Sequence, residues 1–135
     1  MAHRVLLVGE KVMPISSLAA ALRDNGFDVV VANSEQIAVE NLAGSDVLVV
    51  LDSGLEAECL LLLKRIREYS QDLPVILIGR HCQVDVAIQA LKLGRVEYLS
   101  RPISPRRLCD KIEDVLERQA YFDELARLTA LQPEE

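Results

Sequence analysis

The chain has 135 residues, of which 50% are hydrophobic and 27% charged, and its formal net charge at pH 7 is −6. This length and composition predict a single globular domain, and the negative charge argues against direct binding to nucleic-acid phosphates by this segment. No apolar run approaches the roughly 18 residues of a membrane span, and no secretory signal precedes the first apolar run, so we predict a cytoplasmic protein.

Short apolar runs alternate along the chain with segments of helical periodicity, which is typical of βα units that wrap a parallel sheet. In chain order the predicted elements are strand 4–8, helix 15–25, strand 28–32, helix 35–43, strand 47–51, helix 55–69, strand 74–78, helix 84–93, strand 96–99 and helix 105–131. The first, third and fourth strands are nearly continuous in valine, isoleucine and leucine. We therefore expect them to be the most buried, with helices on both sheet faces.

Helix boundaries are indicated by glycine, serine and proline. Gly26, Gly44 and Gly94 each follow a helical segment, where a left-handed cap is favoured. Ser104 before Pro105 is typical of the start of a helix. Right-handed crossovers and short connections then predict a doubly wound five-stranded parallel sheet of order 2-1-3-4-5 with five helices, a flavodoxin-like fold. Its ligand crevice should lie at the carboxyl ends of the first and third strands.

Three segments of the second half carry a family resemblance. They are PVILIG at 74–79, ALKLG at 90–94 and EYLSRP at 97–102, which runs into SPRRL at 104–108. Together they resemble the receiver domain of bacterial two-component response regulators, and the resemblance covers about residues 4–120. We therefore predict a receiver domain at 1–120, followed at 121–135 by an extension of the last helix and a loose tail.

The resemblance implies transfer of a phosphoryl group from a histidine kinase to an aspartate at the end of the third strand. In this family Mg²⁺ is held mainly by acidic residues after the first strand, and a hydroxyl residue and a lysine contact the phosphate. The matching metal positions here are Gly9 and Glu10, so one carboxylate is missing and the other is longer by a methylene. Mg²⁺ demands tight octahedral geometry, and we expect weak binding, by Glu10 and Asp52 at most.

Asp52 is the candidate phosphoacceptor, but its alignment is shifted by one residue. When the family pattern is aligned without gaps, forward from Asp46 or backward from Ile66, the acceptor position falls on Leu51. Because side chains alternate between the faces of a strand, a shift of one residue turns a side chain to the other face. Asp52 could also be a carboxylate at the start of the next helix.

The phosphate-contact positions also depart from the family pattern. The hydroxyl position is Gly79, and the lysine position is Arg101, which we expect to pair with Asp52 or Glu10. Tyr98, the family's switch aromatic, is unchanged, and we interpret it as a packed, half-buried residue. The sequence thus predicts a non-enzymatic signalling module that acts through protein contacts, with aspartyl phosphorylation lost or impaired. A working phosphoacceptor at Asp52 with Mg²⁺ remains the alternative.

Two further interpretations concern ligands and partners. The same topology binds FMN in flavodoxin-like proteins, but aromatic residues are only 4% of the chain and no phosphate-binding loop follows Val8. In the last helix, Phe122, Leu125 and Leu128 keep helical spacing beyond the length that a receiver core can cover. We predict a homodimer through this helix, with a histidine kinase or an output domain as further partners.

Overall fold

The structure is a computed structural model that describes residues 3–9, 13–51, 56–70, 72–79, 88, 92, 94–100 and 103–131. Among these residues, five parallel strands form one sheet in the order β2-β1-β3-β4-β5, which confirms the predicted topology. The central strand pair aligns Val8 of β1 with Val50 of β3. The strands are β1 (Arg4–Val8), β2 (Asp28–Ala32), β3 (Val47–Leu51), β4 (Val75–Gly79) and β5 (Val96–Ser100).

The described helices are α1 (Met13–Asp24), α2 (Glu35–Glu40), α3 (Glu56–Tyr69) and the C-terminal helix (Pro105–Leu131). Most of the predicted helix at 84–93 lies outside the described residues. Of this segment the structure describes only Ile88 and Lys92, and both are helical. The predicted start of the last helix is confirmed, because the Ser104 hydroxyl accepts a hydrogen bond of 3.1 Å from the Arg107 amide.

Among the described helices, the end of α2 departs most from its prediction. Helix α2 ends at Glu40 and not at residue 43, because the side chain of Asn41 donates to the carbonyl of Ile37 and the backbone of Asn41 leaves the helical region at φ −105°. Such local hydrogen bonds between side chain and backbone compete with helix continuation. Gly44 therefore caps no helix, whereas Gly26 (φ 92°) and Gly94 (φ 82°) do adopt the predicted left-handed conformation.

Two apolar clusters sandwich the sheet. One lies between the sheet and α1 with the C-terminal helix, and the other lies between the sheet and α2 with α3. Alternate residues of β3 supply them: Val47, Val49 and Leu51 face the first cluster, while Leu48 and Val50 face the second. Residues 47–50 are at most 2% exposed, as predicted for a strand covered on both faces.

The C-terminal helix has a packed half and an exposed half. Leu108, Ile112 and Val115 are buried against the first cluster, at the spacing of one helix face. Beyond residue 119 every described side chain is exposed, up to residue 130. In the described part of the chain, no helix combines the length and apolar character needed to cross a membrane.

Candidate functional site at the carboxyl edge

The carboxyl ends of β1, β3, β4 and β5 form one edge of the sheet, and the predicted site residues cluster there in sequence. Gly79 ends β4 and Tyr98 lies in β5. Glu10, Asp52 and Arg101 lie outside the described residues. The structure therefore describes two of the five predicted site positions, together with the flanking Gly9 and Leu51.

At the ends of β1 and β3, Gly9 lies against apolar side chains. Its amide donates to the carbonyl of Ala32 at 3.1 Å, which continues the hydrogen bonding between β1 and β2. A Cβ atom added at Gly9 would lie 3.1 Å from Ile15 Cδ1 and 3.2 Å from Leu51 Cβ. Leu51 is only 8% exposed and belongs to the cluster under α1. A side chain at position 9 would therefore have to displace its apolar neighbours by a few tenths of an ångström.

This packing bears on the Mg²⁺ ion that the resemblance implies. Mg²⁺ takes oxygen ligands, chiefly carboxylates and water. Of the described residues at this corner, Gly9 has no side chain, while Ile15 and Leu51 are aliphatic and pack together. The described part of the edge does not fit a Mg²⁺ site.

At the ends of β4 and β5, Gly79 makes room for the ring of Tyr98. Tyr98 stands opposite Leu77 in the strand register, and Gly79 follows Leu77 by two residues on the same face. A Cβ added at Gly79 would lie 2.5 Å from the Tyr98 hydroxyl oxygen and 3.1 Å from Cζ. Tyr98 is half-buried and packs against the cluster under α2 and α3. The tyrosine ring thus occupies the space into which a side chain at position 79 would project.

The opposite edge of the sheet contains a buried charge whose role the sequence did not indicate. The guanidinium of Arg67 donates to four carbonyls, those of Leu73 (2.6 Å), Gly94 (2.8 Å), Ser70 (3.2 Å) and Arg95 (3.3 Å). These acceptors lie in the connection before β4 and in the turn before β5. Arg67 therefore joins two loops at the amino ends of neighbouring strands.

Burial governs the electrostatics of Arg67. The residue is 9% exposed, and burial together with the charge of Arg95 lowers the pKa of its guanidinium, while Asp72 acts in the opposite direction. The only sequence signal for this role is its place on α3, four residues after Leu63 and next to Ile66, both fully buried. A charged residue beside such positions needs hydrogen-bond partners.

A second charged group joins β5 to the C-terminal helix. Glu97 accepts a short hydrogen bond from Arg118 and lies 3.5 Å from the ammonium of Lys111. Partial burial raises the pKa of the Glu97 carboxyl, but the hydrogen bond from Arg118 and the charges of Lys111 and Arg118 outweigh it, so that the pKa is lowered overall. Arg118 also lies 3.4 Å from Asp114. The network links the first half of this helix to the edge strand.

Comparison with known proteins places the chain in a family. Residues 5–113 match the model of the response regulator receiver domain. An NtrX-like response regulator of Rickettsia bellii is 32% identical over 127 residues, and the transcriptional regulatory protein ZraR of Escherichia coli is 30% identical over 131 residues. These matches cover 91% and 95% of the chain but only 26% and 30% of the relatives.

Solved structures share the same fold. NtrX from Brucella abortus in complex with ADP superposes with a TM-score of 0.84 at 24% identity, over 95% of this chain and 30% of that protein. A receiver domain protein from Clostridium thermocellum superposes with a TM-score of 0.79 at 23% identity, over 89% of this chain and 98% of that one. With the five-stranded parallel sheet and the match over residues 5–113, the chain belongs to the response regulator receiver domain family of two-component signalling.

Proposed function

We propose that this receiver domain transmits signals through protein contacts and that aspartyl phosphorylation is absent or strongly impaired. The packing of Gly9 against Leu51 and Ile15 carries the proposal. Position 9, where the resemblance puts an acidic residue, is a glycine, and Leu51, which falls on the acceptor position in the ungapped alignment, is aliphatic. Two anions, the acceptor and the incoming phosphoryl group, must approach within a few ångströms, and without a metal their repulsion is unscreened.

The contact between Gly79 and Tyr98 supports the same conclusion. A hydroxyl residue at position 79 would hold a phosphate in the resembled family, but glycine offers no hydroxyl. The Tyr98 hydroxyl oxygen lies only 2.5 Å from the position that a Cβ at residue 79 would take. The Tyr98 ring thus fills the space next to position 79.

Phosphorylation is tested by incubating the protein with acetyl phosphate and Mg²⁺ and measuring its intact mass. We expect no stoichiometric adduct in the native chain or in Asp52→Asn, while a phosphorylatable receiver in the same reaction gains one phosphoryl group. A stoichiometric adduct that disappears in Asp52→Asn would overturn the proposal and favour Asp52 as a working acceptor with Glu10 as a metal ligand.

The relatives suggest the setting in which the domain works. The chain spans about a quarter to a third of the NtrX-like and ZraR proteins that it matches, and ZraR is a transcriptional regulatory protein. We infer that the domain is a non-enzymatic, cytoplasmic module of a transcriptional regulator, with a histidine kinase and an output domain as its partner classes. Membership in the receiver family favours this setting over FMN binding, for which an absorbance spectrum is the direct check.

We further propose a homodimer formed by the exposed half of the C-terminal helix. Tyr121, Phe122, Leu125 and Leu128 are between 41% and 64% exposed. At 3.6 residues per turn they fall within an arc of about 120°, which makes a continuous apolar stripe. No described residue of the same chain covers it, and two such stripes can bury each other in a coiled coil.

The dimer is tested by measuring the mass of the full chain with light scattering. Leu125→Glu places a charge in the stripe and should give a monomer. Ala130→Glu adds the same charge to the same helical segment but on the opposite side, and should remain dimeric. A native protein that is monomeric over the accessible concentration range contradicts the dimer.

A further inference from the structure

An open groove lies at the amino edge of the sheet, away from the candidate phosphorylation site. It consists of two adjoining hollows with volumes of about 450 and 280 Å³, which share Val39 and Tyr69. The larger hollow extends to Asp46 and Pro74, which directly precede β3 and β4, and the smaller one runs between α2 and α3. We refer to the two hollows together as the acidic groove.

Hydrogen bonds hold the walls of the acidic groove in place. Arg67 donates to the carbonyls of Ser70 and Leu73, both of which line the larger hollow. On the other wall, the Asp46 carboxylate accepts the Arg4 amide at 2.8 Å. These contacts fix the loops on each side before any ligand arrives, which reduces the ordering that binding requires.

The chemistry of the lining is both apolar and acidic. Leu42, Leu73 and Pro74 form the floor, and Tyr69, the last residue of α3, presents a ring that is 68% exposed. The described lining residues include four carboxylates and one base, Arg65, which is paired with Glu35 at 2.6 Å. The remaining carboxylates are those of Glu40, Asp46 and Asp72.

Bases near the rim do not neutralise these carboxylates fully. Arg95 lies 3.6 Å from Asp72, yet the Asp72 side chain is 86% exposed, and Asp46 is 48% exposed although His3 lies 3.6 Å away. An exposed aromatic ring near solvent-accessible carboxylates attracts a cation that can stack on the ring and donate to oxygen, and arginine does both. The apolar floor favours an aliphatic side chain beside that cation.

We propose that the acidic groove binds a basic peptide segment of a partner protein, with an arginine stacked on Tyr69 and bonded to Asp72 or Glu40, and a neighbouring aliphatic side chain on the floor. Charge complementarity between a basic segment and the carboxylates of Glu40, Asp46 and Asp72 in the lining carries this choice of partner. The groove lies at the edge of the sheet opposite to the site of phosphoryl transfer, so the proposal is independent of phosphorylation at Asp52.

The probe is a short acetylated peptide of arginine, leucine and serine, titrated into the isotope-labelled full chain while amide chemical shifts are recorded. We expect shifts centred on Val39, Ser70 and Asp72, and weaker binding as salt is added. Tyr69→Ala should weaken binding by about two- to fivefold, whereas Tyr69→Phe, which keeps the ring, should not.

The contribution of the groove carboxylates is tested with the double variant Glu40→Gln/Asp72→Asn, which should weaken binding of the arginine peptide by a similar factor of about two to five. Its matched control, Asp24→Asn/Glu117→Gln, removes the same charge from exposed positions on α1 and the C-terminal helix and should bind like the native chain. A peptide with glutamate in place of arginine should not bind.

Several outcomes would overturn the proposal. They are shifts centred elsewhere, equal binding of the glutamate peptide, or an unchanged Kd in Tyr69→Ala. Full competition by spermine at equal concentration would indicate a site for simple polyamines and would likewise reject a peptide partner.

Discussion

Arg67 ties the amino edge of the sheet together through carbonyls of two loops, whereas Leu51 and Tyr98 fill the carboxyl edge by packing. The first edge depends on directed polar contacts inside a buried space. The second depends on close contacts of these side chains with two glycines, Gly9 and Gly79. In the described part of the chain, therefore, the buried polar organisation lies away from the edge at which receivers carry out phosphoryl transfer.

The amino edge is the one that contains a buried charge, which costs free energy to keep out of water. A buried guanidinium needs acceptors to offset its loss of hydration, and Arg67 has four of them, although its buried Nε has no hydrogen-bond partner among the described residues. Aliphatic packing at Leu51 stabilises the fold, and the Leu51 side chain itself offers no polar group for chemistry. The contrast is consistent with a domain that keeps the receiver scaffold for protein contacts, and each of the following variants can break it or sharpen it.

The largest expected effect is at Arg67. Arg67→Met keeps much of the side-chain volume but leaves four carbonyls without this donor, and should lower the free energy of unfolding by about 3 kcal/mol. Urea titration should show a lower midpoint with an unchanged slope.

Arg65→Ala on the same helix is the control for this variant. Arg65 is 59% exposed and, among the described residues, pairs only with Glu35, so its loss should cost less than about 1 kcal/mol. If the two variants were equally destabilising, the buried hydrogen bonds of Arg67 would contribute no more to stability than an exposed ion pair. The contrast between the two edges would then be wrong.

A smaller effect is expected at the carboxyl edge. Gly79→Ala should destabilise the domain by about 1–2 kcal/mol, because the added methyl group would lie 2.5 Å from the Tyr98 hydroxyl and force the ring to move. In a Tyr98→Ala background the same substitution should be neutral or stabilising, since alanine is favoured over glycine in a strand.

The native chain, Gly79→Ala, Tyr98→Ala and the double variant form a double-mutant cycle. Their free energies of unfolding give the coupling energy between the two positions. A coupling close to zero would mean that Tyr98 does not depend on the space above Gly79. The ring could then not be regarded as held in place by that contact, and the support it gives to the proposed function would be lost.

Much of the fold could be predicted from the sequence, because its strongest signals are local. The continuous apolar runs of β1 and β3 placed both strands at their observed bounds, and β4 and β5 differed only at their ends. The end of α2 was missed because one side chain, Asn41, competes for the carbonyl of Ile37. Composition and periodicity do not report such a contact.

The site was less predictable, because its contacts join distant parts of the chain. Arg67 bonds to carbonyls 27 and 28 residues away, and no pattern around residue 67 names those acceptors. Gly79 and Tyr98 were both identified through the family resemblance, but their contact depends on the register between β4 and β5. The roles assigned to Glu10, Asp52 and Arg101 stay predictions.

The smallest expected effect tests whether burial, rather than the number of ionic partners, decides how much a charge stabilises this domain. Glu97 has two cationic partners but is 31% exposed, so Glu97→Gln should cost less than about 1 kcal/mol at neutral pH. Its pKa is lowered in the folded state, so its contribution to stability is present above the ordinary glutamate value of about 4.3 and is lost as the pH falls through the folded pKa.

The native chain and Glu97→Gln should therefore differ in urea midpoint at neutral pH and converge in acid. The control Glu113→Gln, on the C-terminal helix, should follow the native chain throughout. A difference that persists in acid would assign the effect to packing of the side chain and not to its charge.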